Sequence, residues 1–245
     1  MNIALLGYGK MGQEIERIAI RNGHKVILAI DSEADWKEMG QNLYLADVAI
    51  DFSMPEVTVA NIRRCFAIHV PVVVGTTGWD NCYDEIRKEC TETGSALFFS
   101  PNFSIGVNLF FEINRYLAKQ MSPHTEYEIS IEETHHIHKK DAPSGTAIKL
   151  ANDIIENTER KEKWVREPSE NPDELGIRSI RMENAPGTHV VRYDSENDTI
   201  EISHTAKSRR GFATGALMAA SFLIGKKGCF EMKDLLSSDN LKNFK

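Results

Sequence analysis

Three histidines and two lysines fall within His135–Lys140, and Asp141-Ala142-Pro143-Ser144-Gly145-Thr146 follows at once. Imidazole and ammonium groups are the side chains best suited to moving protons near neutral pH. The Pro-Ser-Gly-Thr run reads as a turn opening a helix, with Ser144 as N-cap and Pro143 at the boundary. The first N–H groups of a helix bind anions. Ser144, Gly145 and Thr146 therefore offer a carboxylate site beside His135, His136 and Lys139. His135 and Lys139 lie four apart, as do Glu132 and His136, but only a helix would make those spacings shared faces. The chemistry implied is proton delivery to a small carboxylated molecule.

A second constellation opens the chain. Gly7-Tyr8-Gly9-Lys10-Met11-Gly12 lies between an apolar run and a helical pattern. Glycines there permit a tight turn, close approach of a pyrophosphate and close helix–strand packing. Asp31 follows Gly12 by nineteen residues, at the end of the next apolar run, where an acid binds a ribose diol. Gly75-Thr76-Thr77-Gly78 and Ser100-Pro101-Asn102-Phe103 each follow a strand pattern. In open parallel sheets that is where ligands gather, although either could be a plain turn.

Other readings of these residues compete. His135, His136 and His138 match no H-E-x-x-H zinc pattern and have no nearby cysteine, so no metal is expected. A solvated charge run would explain the histidines alone, but not the adjoining anion site. Cys65, Cys82, Cys90 and Cys229 are scattered without a CxxC pair and read as reduced thiols of a cytoplasmic protein.

The elements that position these residues follow from periodicity. Apolar runs at Asn2–Leu6, Lys25–Ile30, Val48–Phe52, Val70–Val74 and Ser95–Ser100 alternate with helical patterns at Lys10–Asn22, Pro55–Ala67 and Asp80–Thr93. That predicts a parallel sheet covered on both faces, a Rossmann-type dinucleotide-binding domain. The pattern then changes. Helices are expected at Gly106–Gln120 and Ser144–Asn157, and alternating strands at Glu126–Glu132, Ile177–Glu183, His189–Tyr193 and Thr199–Ser203. The polar stretch Glu159–Asn171 reads as a loop. This middle block predicts an α+β substrate domain with a mainly antiparallel sheet. Gly211–Ile224 is an apolar helix before a short tail. At 245 residues and 41% hydrophobic content, two modest domains fit. A net charge of −7, with no basic block, argues against a nucleic-acid binder. No apolar run reaches the roughly 18 residues of a membrane span.

Read together, these residues resemble a known family. THHIHKKDAPSGTA closely resembles the signature of the dihydrodipicolinate reductases, also called 4-hydroxy-tetrahydrodipicolinate reductases. GYGKMG, the DFS at Asp51–Ser53, VGTTG, SPNFSIGVN and RRGFATGALMAASFLIGKKGCFEMKDLL agree in order and spacing. The glycine loop is one residue shorter than the G-x-x-G-x-x-G of many relatives, and Glu159–Asn171 has no counterpart. The resemblance implies reduction of a cyclic dicarboxylate at C4 by NADH or NADPH, with loss of water, in lysine and diaminopimelate biosynthesis. It implies a dinucleotide domain of residues 1–103 and 211–245, and a substrate and oligomer domain of residues 104–210, assembled as a homotetramer. His135 would be the acid/base group and Lys139 the proton donor. His136, Lys139, Ser144, Gly145 and Thr146 would hold the substrate. Gly75, Thr77, Ser100 and Phe103 would touch the nicotinamide side, among cofactor contacts that run over Gly7, Gly9, Lys10, Met11, Gly12, Asp31, Thr76, Pro101 and Asn102. An imine or amino-acid dehydrogenase, or a cofactor-sensing regulator without turnover, are the other readings; the intact His135/Lys139 pair argues against the regulator.

Overall fold

The computed structural model describes residues 1–237, so residues 238–245 of the expected dinucleotide domain lie outside the described part. Two compact units emerge: Met1–Ile105 with the chain from Arg209 on, and Gly106–Ser208. Along the chain, the first unit begins with β1 (Asn2–Leu6), α1 (Lys10–Arg21), β2 (Lys25–Ile30), α2 (Glu33–Met39), β3 (Val48–Asp51), α3 (Pro55–Ala67), β4 (Val72–Val74), α4 (Tyr83–Thr93) and β5 (Ala96–Phe99). Strands β1, β3 and β4 are runs of Ile, Leu, Val and Ala buried along almost their whole length, as a sheet covered on both faces demands. Pro55 starts α3, where its missing N–H costs no bond. Gly94, in the left-handed region at φ 62°, stops α4. Helix α2 fills a stretch that the sequence pattern leaves blank. It is short, and it is fixed by a capping box in which Ser32 and Asp35 satisfy each other's backbone N–H.

The middle unit follows with α5 (Ile105–Met121), β6 (Glu128–His135), α6 (Gly145–Ile155), β7 (Lys163–Arg166), β8 (Glu174–Arg181), β9 (Thr188–Asp194) and β10 (Thr199–Thr205). The chain then supplies α7 (Arg210–Leu223), β11 (Gly228–Phe230) and α8 (Met232–Leu236) to the first unit.

The first sheet runs β11-β5-β4-β3-β1-β2, with every pair parallel. Chain direction across the sheet reverses at β1, so the crevice between the ends of β1 and β3 is a switch point where ligands bind. There the backbones meet closely. Gly7 has φ 92°, and a Cβ on it would stand 2.4 Å from the Phe52 carbonyl oxygen. Only glycine fits both constraints. Small residues of α7, Ala213, Ala216, Ala219 and Ala220, bring that helix against Ile3, Leu5, Val73 and Phe98 in one core.

The second sheet runs β10-β9-β6-β8-β7. The β9–β10 and β6–β9 pairs are antiparallel, while β6–β8 and β7–β8 are parallel, so the sheet is mixed. Alternation marks a half-buried strand without fixing its direction. Strand β7 lies inside the polar stretch expected as a loop; it is an edge strand with exposed Lys163 and Arg166. Strand β6 runs past Glu132 to His135, which places the first histidine on the sheet and not on a loop. Phe110 and Phe111 of α5, with Leu150, Ala151 and Ile154 of α6, cover Ile129, Ile131, Ile177, Val191 and Tyr193. The opposite face carries Ser130, Glu132 and Thr134, paired with Arg192, Val190 and Thr188.

Candidate active site

Strand β6 alternates, so Glu133 and His135 point to the face of Ile129 and Ile131, into the helix-covered side. Glu133 is fully buried. A carboxylate there needs donors, and several converge. The Ser144 N–H donates to its two oxygens at 3.0 and 3.1 Å, and the Ser179 hydroxyl donates at 2.9 Å. The Arg181 guanidinium stands 3.4 Å away. His135 Nδ1 is 3.5 Å and His189 Nε2 3.7 Å from the same carboxylate. Burial pushes the Glu133 carboxyl up, but the bonds from Ser144 and Ser179 outweigh it and hold it below its ordinary value. Burial lowers His135, against the pull of Glu133, and the nearby Lys139 charge lowers it further. His189 is pushed down to about 4, first by burial and then by His135. Both imidazoles are thus neutral at pH 7. Glu133, His135 and His189 offer ligand atoms within 4.8 Å of one another, a grouping the sequence spacing did not bring out.

After β6 the chain turns back, with the Lys139 N–H donating to the His136 carbonyl at 3.0 Å. Lys139 Nζ donates to both oxygens of Asp141 at 2.8 Å. Helix α6 then starts at its N-cap Ser144, whose hydroxyl accepts from the Ala147 N–H at 3.2 Å and contacts His189 Nε2 at 3.1 Å. The hydroxyl and N–H of Ser144 are therefore both engaged within the protein. Among the described hydrogen bonds none engages the N–H groups of Gly145 and Thr146, and a Cβ on Gly145 would meet nothing within 4 Å. The open end of the helix lies at these two residues. His136 keeps a buried Nδ1 without a partner. His138 is exposed.

The glycine turn of the first unit is a separate candidate site. No side chain caps α1 at Gly9, and a Cβ there would meet nothing within 4 Å. A helix start with free N–H groups and open space above it fits a pyrophosphate. The Tyr8 N–H donates to Asp31 Oδ1 at 2.7 Å, which ties the turn to the end of β2. A cavity of about 530 Å³ opens there, lined by Gly7, Gly9, Asp31 and Asn61 among others. Lys10 is exposed on the first turn of α1, Met11 packs against the core, and Gly12 is buried. At the end of β3 the buried Asp51 accepts from Ser53, from Thr76 Oγ1 at 2.7 Å and from Asn61 at 2.8 Å. These bonds fasten the Gly75-Thr76-Thr77 turn, leaving Thr77 exposed. Ser100 closes its own turn, donating to the Asn102 carbonyl at 2.8 Å. Pro101 is exposed, whereas the Phe103 ring is buried against Phe52 and Phe98. Its ring is part of the core, so only its backbone could meet a ligand.

Sequence reasoning missed Glu133, Asp141, Ser179, Arg181 and His189. Glu133 was legible in principle, since two-residue alternation puts it on the face of His135. His189 meets Glu133 through cross-strand register, which no local pattern reveals. Glu132 faces the other way and pairs with Arg178 at 3.7 Å, so its spacing to His136 has no meaning on a strand.

A glycine turn at the switch point of a parallel sheet, in a chain whose second unit gathers proton-moving side chains, defines a pyridine-nucleotide-dependent oxidoreductase. The comparisons sharpen this. Residues 1–103 match the family model for the N-terminus of dihydrodipicolinate reductase, and residues 106–236 match that for its C-terminus. A 4-hydroxy-tetrahydrodipicolinate reductase of Christiangramia forsetii is 49% identical over 243 residues, covering 99% of this chain and 100% of that protein. The enzyme of the same name from Methanopyrus kandleri is 34% identical, covering 96% of each. Among solved structures, dipicolinate-bound dihydrodipicolinate reductase from Paenisporosarcina sp. TG-14 shares the fold. Its TM-score is 0.75 at 21% identity, covering 96% of this chain and 99% of that one. The chain belongs to the dihydrodipicolinate reductase family. Among the described residues no helix is long and apolar enough to cross a membrane.

The buried histidine sets a pH dependence of stability. With His189 lowered from 6.5 to about 4, the unfolded chain takes up a proton in that window that the folded chain refuses. Stability is then lost as pH falls from 6.5 to 4, by up to about 3 kcal/mol from this group. Glu133, held low, acts with the same sign at the acid end. Urea unfolding across this range should show the loss, and His189→Gln should flatten it. An unchanged slope in the variant would assign the acid sensitivity elsewhere.

Proposed function

We propose that this chain reduces 4-hydroxy-tetrahydrodipicolinate to tetrahydrodipicolinate with NADH or NADPH, releasing water, in lysine and diaminopimelate biosynthesis. The observation that carries the reading is the gathering of His135 and the start of α6 around the buried Glu133, with the Lys139 charge close enough to act on His135. When bound at the glycine turn, a reduced nicotinamide would supply the hydride that C4 of the ring receives. One proton is needed to release the 4-hydroxyl as water, and Lys139, oriented by Asp141, donates it. His135 is the acid/base group. The Glu133 carboxylate 3.5 Å from its Nδ1 favours the tautomer protonated there and leaves Nε2 to accept a proton. One carboxylate of the substrate sits on the Gly145 and Thr146 N–H groups and the α6 dipole, with Ser144 holding that helix start in place. His136 and Lys139 contribute from the preceding turn. On the cofactor side, Gly7, Gly9, Met11 and Gly12 shape the pyrophosphate site, and Lys10 adds charge at its edge. Gly75, Thr76, Thr77, Ser100, Pro101, Asn102 and the Phe103 backbone line the nicotinamide end.

Asp31 accepts from the adenosine ribose and repels a 2′-phosphate, which favours NADH. The face of the second sheet opposite its helices, with Ser130 exposed and Glu132, Thr134 and Arg192 half-buried, supports pairing between subunits in a homotetramer. Four free cysteines suit a cytoplasmic protein.

The test is oxidation of NADH and NADPH when the pathway intermediate is generated in situ. Lys139→Ala should lower turnover by about 10²–10⁴-fold with cofactor affinity near normal, and His135→Gln should slow it too. Normal turnover in both variants would sink the assignment. Pyridine-2,6-dicarboxylate should compete with substrate far better than pyridine-2-carboxylate, because a missing carboxylate leaves donors unpaired, at about 1.5–3 kcal/mol per charge-assisted bond. Thr146→Val, which removes the hydroxyl beside those N–H groups, should narrow that gap; equal inhibition of the parent enzyme by both compounds would remove the dicarboxylate clamp. Light scattering at working concentration should give a tetramer mass, and a monomer would reject the assembly.

A further inference from the structure

The cavity beside the glycine turn is walled on its outer side by Asp31, Ser32, Glu33, Trp36 and Arg64. A second cavity of about 490 Å³ shares Glu33, Trp36 and Arg64 with it, so these three residues partition the two spaces. Arg64 comes from α3, and its guanidinium carbon lies 4.3 Å from the centre of the Trp36 ring. Arg64 Nη2 donates to Glu33 Oε1 at 2.7 Å and to Oε2 at 3.1 Å. Three further donors of this corner are engaged within the protein. The Asp31 and Ser32 N–H groups donate to the Asp35 carboxylate at 2.9 and 2.8 Å, and the Ser32 hydroxyl donates to it at 2.8 Å. Three carboxylates, Asp31, Glu33 and Asp35, thus surround the end of β2. Arg64 is the cation of the cavity wall, while Lys37 lines only the second cavity.

A guanidinium can do two things for an adenine dinucleotide. Its plane stacks on a base, and its fork grips a phosphate. Here one arm of the fork, Nη2, is shared by both oxygens of Glu33, and the guanidinium lies over the Trp36 ring. We propose that Glu33 is a specificity-determining residue. It holds Arg64 over Trp36, occupies Nη2 and offsets the guanidinium charge, so that Arg64 is a poor partner for a 2′-phosphate and NADH is favoured. Asp31 alone would repel that phosphate, but an unbound Arg64 on the same wall would offset the repulsion. Glu33 removes the offset. This rests on the reading that the dinucleotide binds at the glycine turn.

Nucleotide fragments test it without turnover. Calorimetry would compare adenosine 5′-diphosphate with its 2′-phosphorylated form on the parent protein, Glu33→Gln, Arg64→Leu and the double variant. The parent should prefer the unphosphorylated ribose. Glu33→Gln should tighten the 2′-phosphate form by about 10- to 100-fold, as a freed charge-assisted bond allows, and leave the other nearly unchanged. The double variant should lose that gain. NADPH and NADH turnover ratios should follow the same order. Glu33 is exposed and Arg64 half-buried over Trp36, and unchanged melting temperatures would show the folds intact. An unchanged ratio in Glu33→Gln, or a gain that survives in the double variant, overturns the proposal. Failure of adenosine 5′-diphosphate to bind the parent protein overturns the cofactor site itself, and this proposal with it.

Discussion

The middle unit is organised around the demand of one buried carboxylate. A charge with no exposure to water must be met by donors fixed in space. Glu133 draws its donors from Ser144 at the start of α6 and from Ser179 and Arg181 on β8, with the imidazoles of β6 and β9 3.5 and 3.7 Å away. The same contacts that neutralise it also set the position of the helix start and of His135. Arg181 extends the network, donating at 2.6 Å to the carbonyl of Asp141, the residue whose carboxylate holds Lys139. A proton-handling group and an anion site are thus referenced to one atom cluster inside a rigid sheet. That is the placement a reaction centre needs if its geometry is to survive side-chain motion.

The first unit solves a similar problem differently. Asp51 is buried at the end of β3 and is met by Ser53, Asn61 and Thr76. Burial pushes its carboxyl up while those bonds oppose the shift. Its role is to fasten the turns at the carboxyl ends of neighbouring strands. Where Glu133 unites a sheet with a helix, Asp51 unites two loops, so the crevice over the sheet keeps one shape.

Local patterns made most elements of the first unit readable, because β1, β3, β4 and β5 are short buried apolar runs and the helices between them have starts and stops. Pro55–Ala67 follows from Pro55 and the apolar spacing alone. Helix α2 escaped notice because seven residues give too little periodicity, and its stability lies in the Ser32–Asp35 box. In the middle unit the pattern gave the strands but not their partners. The parallel β6–β8 pairing depends on where the chain returns after α6, and β7 joins an edge that needs few apolar residues. The motif around His135 was plain, since its residue types are chemically loud. Its supports were not, because Ser179, Arg181 and His189 are common residues made significant by register between distant strands.

The order in which the core of the first unit is laid down has a consequence for synthesis on the ribosome. Ala213, Ala216, Ala219, Ala220 and Leu223 share that core with Ile3, Leu5 and Phe98, yet they leave the ribosome after all of the intervening middle unit. Until then the parallel sheet lacks the helix that covers part of one face, and apolar strand surface stays open to other chains. The middle unit has its own core within a continuous stretch and can close first. Nascent chains of this plan therefore mature from the inside of the sequence outward. Their first hundred residues are the last to be sealed, and the newborn protein is most in need of a chaperone's shelter until helix α7 docks.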